Sequence, residues 1–360
     1  MRTARDASRP IRRDIVRLAH AGLDTPTVRS ETVPLLRRIL PFDAIWWAVA
    51  DPETLLFSQA FADGVPPAAG PLFLENELLH DDVNKFVTLA RAPDPTSTLY
   101  AVTGGRPEAS RRFREIIRPH RMGDELRIAL RDGRHTWGFM CLHRDAGAPP
   151  FSGQERTSIR QLGPHLAAAL RQSLLLSDAA SGGSGAPGVL IITPTLELLS
   201  VSASATALLS GVDEWLRSGV RAVFIGALTS QLLALERKAA PDSIAPRVRV
   251  QTRTGGWLTL SASRLPSSSS ADQIVVVIEF TRDEEMIPLL LATYALTAAE
   301  ERVVRGVLAG GSSKEIAQAL GITPLTVQQH LKRIFEKVNV HSRGELRSRL
   351  QAQRYRMPRR

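Results

Sequence analysis

The sequence predicts a multidomain α+β chain, with two small antiparallel sheets covered by helices followed by an all-α module of four helices. Three observations carry that reading. The stretch from Ser177 to Gly188 is rich in Gly, Ser and Ala, residues that add backbone freedom and offer nothing to bury, so it reads as a linker. Short apolar runs of strand character lie on both sides of it, and helical periodicity takes over across Thr281 to Thr297. A chain of 360 residues has room for two or three separate cores. The expected division is N-terminal helices and a first sheet unit over 1–176, a linker over 177–187, a second sheet unit over 188–285, and the helical module with a basic tail over 286–360. No internal repeat or long low-complexity tract is visible in the sequence.

In the first unit, apolar runs at Ala44 to Ala50 and Leu55 to Ala60 read as strands joined through Asp51-Pro52. A helix is expected from Leu74 to Leu89. Asp124 to Arg131 and His135 to His143 bracket Asp132-Gly133-Arg134, a short loop suited to a β-hairpin. Ser152 and Glu155 form a capping box ahead of an amphipathic pattern reaching Leu176. The second unit has five expected strands: Gly188 to Thr193, Leu196 to Val201, Arg247 to Arg253, Trp257 to Leu265, and Gln273 to Phe280. Helices fall between the second and third, and Ser267 to Ser270 reads as a hairpin loop.

The C-terminal module is the most fully punctuated part of the chain. Thr297 and Glu300 make a capping box, Val303, Val304, Val307 and Leu308 share one face, and Gly310-Gly311 supplies a left-handed stop. Ser312 and Glu315 cap a second helix with Ile316, Ala317 and Leu320 as its buried stripe, and Gly321 ends it. Thr323 caps the next helix, and Pro324 sits at its first position, where a missing amide hydrogen costs nothing. Val327, Leu331, Ile334, Phe335 and Val338 then recur at i, i+4, i+7, i+8 and i+11, one buried face. Gln328, Gln329, Lys332, Arg333 and Glu336 lie opposite. The three-residue connection Gly321-Ile322-Thr323 between two short helices is the turn that lets the later helix enter a DNA major groove. Ser342 with Glu345 caps a fourth helix carrying Leu346 and Leu350.

Charge points the same way. The formal net charge is +10, and from Thr293 to Arg360 there are 13 Lys or Arg against 5 Glu and no Asp. A positive excess concentrated in under a fifth of the chain is the footprint of a polyanion-binding surface, because neutralised phosphates release counterions. Arg354, Arg356, Arg359 and Arg360 also fit a solvated basic tail. The composition, 43% hydrophobic and 23% charged, is that of a globular protein. One cysteine, Cys141, excludes an internal disulfide framework and a cysteine-based zinc site, which favours the cytoplasm. No window approaches about 18 uninterrupted apolar residues, so no membrane association is expected.

Residues from Ala295 onward resemble the LuxR-type helix-turn-helix family over about 55 residues. The likeness rests on the Leu296-Thr297 start with Glu300, Ser312 to Ala317, Leu320-Gly321-Ile322, Thr326-Val327 with His330, Lys337 through Val340, and Arg343 to Leu346. The resemblance implies a cytoplasmic bacterial transcription regulator bound to double-stranded DNA through a recognition helix over 323–338. Gln328, Gln329 and Lys332 occupy base-reading positions, and Lys314, Thr326 and Arg333 are candidates for phosphate contacts. The chemistry agrees, since Gln pairs bidentately with adenine and Lys with the guanine acceptors. His330 reads equally as a packing residue or a contact. The fourth helix commonly mediates dimerisation in this family, implying a homodimer on two half-sites, and RNA polymerase would be a partner of an activator. Ser313 stands where the family often has Asn.

Arg37 to Gln172 is similar to a GAF domain, through Pro41-Phe42-Asp43-Ala44, Asp124-Glu125-Leu126-Arg127 and Trp137-Gly138; Gly188 to Arg282 is similar to a PAS domain, through Gly256-Trp257 in its hairpin. Both folds serve as sensors or as relay modules. Trp46, Trp47, Trp137 and Phe139 are candidates to line a ligand pocket, with burial in the core as the competing assignment. Cys141 reads as a buried structural cysteine rather than a redox sensor. The eight His are scattered with no pair at metal spacing, so neither a metal nor a cofactor is identified, and a small-molecule ligand of either unit stays unnamed. No phosphate loop, nucleophile elbow or zinc-binding His-Glu-x-x-His supports an enzyme. Asp81-Asp82 falls within an expected helix rather than at a strand end, against a phosphoacceptor. The alternatives are a sensor and interaction module with little specific DNA binding and, less favoured, an enzyme.

Overall fold

The computed structural model describes residues 2–176, 185–237, 245–265 and 272–351. Most of the expected linker, the Ser267 to Ser270 loop and the four tail arginines lie outside the described residues. Helices α1 (Arg2–Ala19) and α2 (Thr25–Ile39) precede a sheet of β1 (Ala44–Ala50), β2 (Phe57–Asp63), β3 (Thr96–Thr98), β4 (Met122–Asp132) and β5 (His135–Asp145). Between β2 and β5 the chain also forms α3 (Ala69–Leu79), α4 (Phe86–Arg91) and α5 (Leu99–Val102), and α6 (Gly153–Leu176) follows β5. The strand order is β2-β1-β5-β4-β3, antiparallel throughout.

Alternation along the strands divides the side chains between two cores. Ile45, Trp47, Val49, Leu126, Ile128 and Leu130 pack on α1, α2 and α6, while Ala48, Ala50, Ala129, Phe139 and Cys141 face α3 and α4. The single helix expected from Leu74 to Leu89 is two helices. In the break between them the Asp82 carboxylate accepts from the amides of Val83 and Arg112, both at 2.7 Å, and Asn84 adopts φ 61°. These side-chain bonds give the backbone an alternative to helix, so Asp81-Asp82 stands in a loop rather than in a helix.

The second sheet holds β6 (Gly188–Ile192), β7 (Leu198–Val201), β8 (Arg247–Gln251), β9 (Trp257–Leu265) and β10 (Gln273–Phe280), in the order β7-β6-β10-β9-β8. Helices α7 (Ala203–Leu209), α8 (Asp213–Ser218) and α9 (Val223–Arg237) intervene between β7 and β8. All five expected strands are present. The spatial order, second, first, fifth, fourth, third, repeats that of the first sheet, a recurrence of topology that no sequence repeat announces.

The two sheets meet closely. Leu74 of α3 packs so near Gly226 of α9 that a Cβ there would lie 2.6 Å from its Cδ1. Buried Arg249 of β8 holds buried Asp51 of the β1–β2 turn in a two-pronged ion pair at 2.6 and 2.7 Å. Beside this pair a small open cleft is lined by Thr25, Ser58, Gln59, Arg249, Trp257 and Leu289, among others. Then follow α10 (Asp283–Thr293), α11 (Ala298–Leu308), α12 (Ser313–Leu320), α13 (Pro324–Val338) and α14 (Arg343–Gln351). No single described helix is long and apolar enough to cross a membrane.

Candidate nucleic-acid interface

Each helix of the terminal bundle starts and stops where its caps dictate. Reciprocal capping boxes join Thr297 with Glu300 and Ser312 with Glu315. Gly321 takes the left-handed conformation at φ 65°, and the amide of Ile322 closes back on the Ala317 carbonyl at 3.0 Å, so the chain turns sharply between α12 and α13. Thr323 caps α13 through the amide of Thr326 at 3.1 Å. Asn339, left-handed at φ 57°, ends it in place of a glycine.

Val327, Leu331, Ile334 and Val338 of α13 are buried against α11 and α12. Lys337 ties α13 to α11, with its ammonium 2.7 Å from Glu300 and 3.2 Å from the Ala295 carbonyl. Burial works against the Glu300 carboxylate, yet that ammonium and the Thr297 hydrogen bonds more than offset it and hold its pKa below the usual range. Arg343 of α14 donates to the Gly311 carbonyl at 3.1 Å and to the Ser313 hydroxyl at 2.6 Å. The serine that departs from the family pattern thus still anchors α14.

The opposite side of α13 faces outward. Gln328, Gln329, Lys332 and Arg333 are exposed, as is Lys314 on α12, and Thr326 is half-buried with its hydroxyl 2.9 Å from that of Thr323. Lys314, Lys332 and Arg333 make no ion pair with any described residue, so their charges point at solvent. His330 lies off this stripe, half-buried, with Nδ1 buried and unpartnered. Leu346 and Leu350 of α14, the helix that the resemblance links to dimerisation, turn into the intrachain core and leave Gly344, Arg347 and Ser348 outside.

Residues 294–349 match the family model described as bacterial regulatory proteins, luxR family. The C-terminal segment is a LuxR-family helix-turn-helix domain. No curated protein matches the chain. Among solved structures, the chain is similar to a phage VqmA–DPO complex at 18% identity, covering 49% of this chain and 85% of that one, with a TM-score of 0.25. It is similar to a Vibrio cholerae VqmA–ligand–DNA complex at 13% identity, covering 47% and 83%, TM-score 0.22. The bacteriophytochrome RpBphP3 of R. palustris matches at 13%, covering 76% of this chain and 62% of that one, TM-score 0.31.

The LuxR-type domain is docked on the first sheet. Arg134 and His135, at the tip of the β4–β5 hairpin, face Glu301 of α11, the imidazole at 3.5 Å, and Arg171 of α6 donates to the Thr293 carbonyl at 2.9 Å. None of these contacts covers the outer stripe of α13.

The four aromatic pocket candidates do not share a face. Trp46 and Phe139 join Phe57, Phe73 and Phe86 in one cluster on the α3 side, with Phe86 and Phe139 centroids 4.8 Å apart. Trp47 and Trp137 are fully buried on the opposite, helix-packed face. Trp137 crosses over because β5 bulges there: Gly138 pairs with Leu130 and Thr136 with Arg131, leaving Trp137 as the extra residue. The cleft between the sheets is lined by none of the four.

A buried polar network, not anticipated from sequence, lies beside the aromatic cluster. Glu125 is held by Arg112 at 2.6 Å and Arg127 at 3.0 Å, and Arg127 also reaches Glu77 at 2.7 Å. Burial opposes the Glu125 carboxylate, but the two guanidinium groups outweigh it and hold its pKa well below the usual range. Cys141 is fully buried, and burial together with the adjacent Glu125 pushes its thiol well up, so it stays protonated 3.2 Å from that carboxylate. Glu125, Cys141 and His143 bring ligand-type atoms within 4.8 Å of one another, a grouping the expectation of scattered histidines overlooked. Two arginines already neutralise its only carboxylate.

Proposed function

We propose that the chain is a sequence-specific, DNA-binding transcription regulator that places α13 in the major groove of double-stranded DNA. Gln328, Gln329 and Lys332 read base edges, and Lys314, Thr326 and Arg333 hold phosphates. The observation carrying this reading is the stripe itself, polar, exposed and unpaired on a helix whose other face is locked into a capped bundle. Two copies bind two half-sites, RNA polymerase is the partner where the outcome is activation, and the cytoplasm is the site of action. A signal received by the two sheet units modulates the DNA-binding end through the hairpin and α6 contacts. The division into units at 1–176, 188–285 and 286–360 belongs to the same proposal.

The test is a binding titration on an operator selected from random duplex DNA by the full-length chain. Lys332→Ala is expected to weaken binding by about 1 to 3 kcal/mol and to relax preference at one base pair. Unchanged affinity and preference would remove Lys332 from the reading face.

A further inference from the structure

Leu325 is 65% exposed, the most exposed large apolar side chain among the described residues. It occupies the first turn of α13, next to the cap that projects this end of the helix outward. At 100° per residue, Leu325, Gln328, Gln329 and Lys332 fall at i, i+3, i+4 and i+7 on one face, with Leu325 nearest the N-terminus. A single exposed leucine on a surface is ordinary. This one stands in line with the base-reading positions, at the helix end that enters deepest in helix-turn-helix docking. About two thirds of its surface stays open to solvent.

The major groove presents one apolar feature, the C5 methyl group of thymine. We infer that Leu325 is a specificity-determining residue that packs on a thymine methyl, resting on the proposal that α13 reads DNA. Gln328 and Gln329 suit adenine, and three to four residues of helix rise about 5 to 6 Å. The thymine contacted by Leu325 therefore lies within one or two base pairs of an adenine read by these glutamines, at about 3.4 Å per step.

Deoxyuridine differs from thymidine only by that methyl group, which makes it the probe. The full-length chain and a Leu325→Ala variant are titrated against the selected operator with each thymine replaced singly by deoxyuridine. Losing one methyl contact, worth about 0.8 kcal/mol, corresponds to roughly a four-fold drop in affinity. The expected result is that drop at one thymine per half-site for the native chain and no response at the same position for Leu325→Ala, whose thermal melting matches the native chain. A native chain that selects a sequence yet ignores every deoxyuridine, or a variant equally sensitive at the same thymine, overturns the role of Leu325 alone. A chain that selects no sequence overturns this inference together with the proposed function.

Discussion

Ser312 shows what a single side chain contributes. Its hydroxyl accepts from the Glu315 amide at 3.3 Å, while Glu315 reaches back to the Ser312 amide at 2.7 Å, so two otherwise orphaned donors at the start of α12 are satisfied. Ser312→Ala is expected to lower the stability of the terminal bundle by about 1 kcal/mol, read as a fall in melting temperature of the full chain. A melting temperature equal to the native value would show that solvent serves these donors as well as the serine does. Caps are legible in sequence because they act across three residues: Thr297 with Glu300, Ser312 with Glu315 and Thr323 before Pro324 all stand where the pattern placed them. The Arg112, Glu125 and Arg127 network was not legible for the opposite reason. Glu125 and Arg127 share one face of β4 at i and i+2, but Arg112 reaches them from a separate segment ahead of that strand, and no local spacing encodes that meeting.

The elements of the first sheet show how far alternation carries. The bounds of β4 and β5 and their hairpin were close to expectation, because Asp132-Gly133-Arg134 marks a turn and apolar runs flank it. The faces were harder: one extra residue in β5 sends Trp137 to the side opposite Phe139, so spacing alone groups two aromatic residues that the sheet separates. On the other face, burial presses the His143 imidazole down to a pKa of about 4, Glu125 opposing and the two arginines adding to the effect. An unfolded histidine titrates near 6.5, so between about pH 6.5 and 4 the unfolded state binds the extra proton. Stability then falls on acidification across that window by up to roughly 3 kcal/mol, and is flat above it. Urea melts from pH 7.5 to 4.5 are expected to show this slope, reduced in a His143→Gln variant. An identical slope in the variant would assign the acid sensitivity to other groups. The depressed Glu125 carboxylate contributes at lower pH still, by the same sign.

At the scale of the whole molecule, three packed bodies share continuous contacts. Asp51 and Arg249 clasp the two sheets, and apolar residues of α10 and of the LuxR-type domain belong to the same cluster as Trp47 and Leu166. The hairpin tip at Arg134 and His135 meets the DNA-binding domain on α11, while the outer stripe of α13 stays clear. Such contacts between distant segments depend on tertiary assembly, which is why the capped helices of the C-terminal domain were legible in the sequence while their docking on the first sheet was not. The most direct test compares the full-length chain with a Gln328→Ala, Gln329→Ala, Lys332→Ala triple variant on the selected operator and on a scrambled duplex at one salt concentration. A reading helix at α13 requires the native chain to prefer the operator by at least about 10³-fold and the variant to lose most of that preference while keeping its affinity for scrambled DNA. A variant that discriminates as well as the native chain would place sequence reading elsewhere in the molecule.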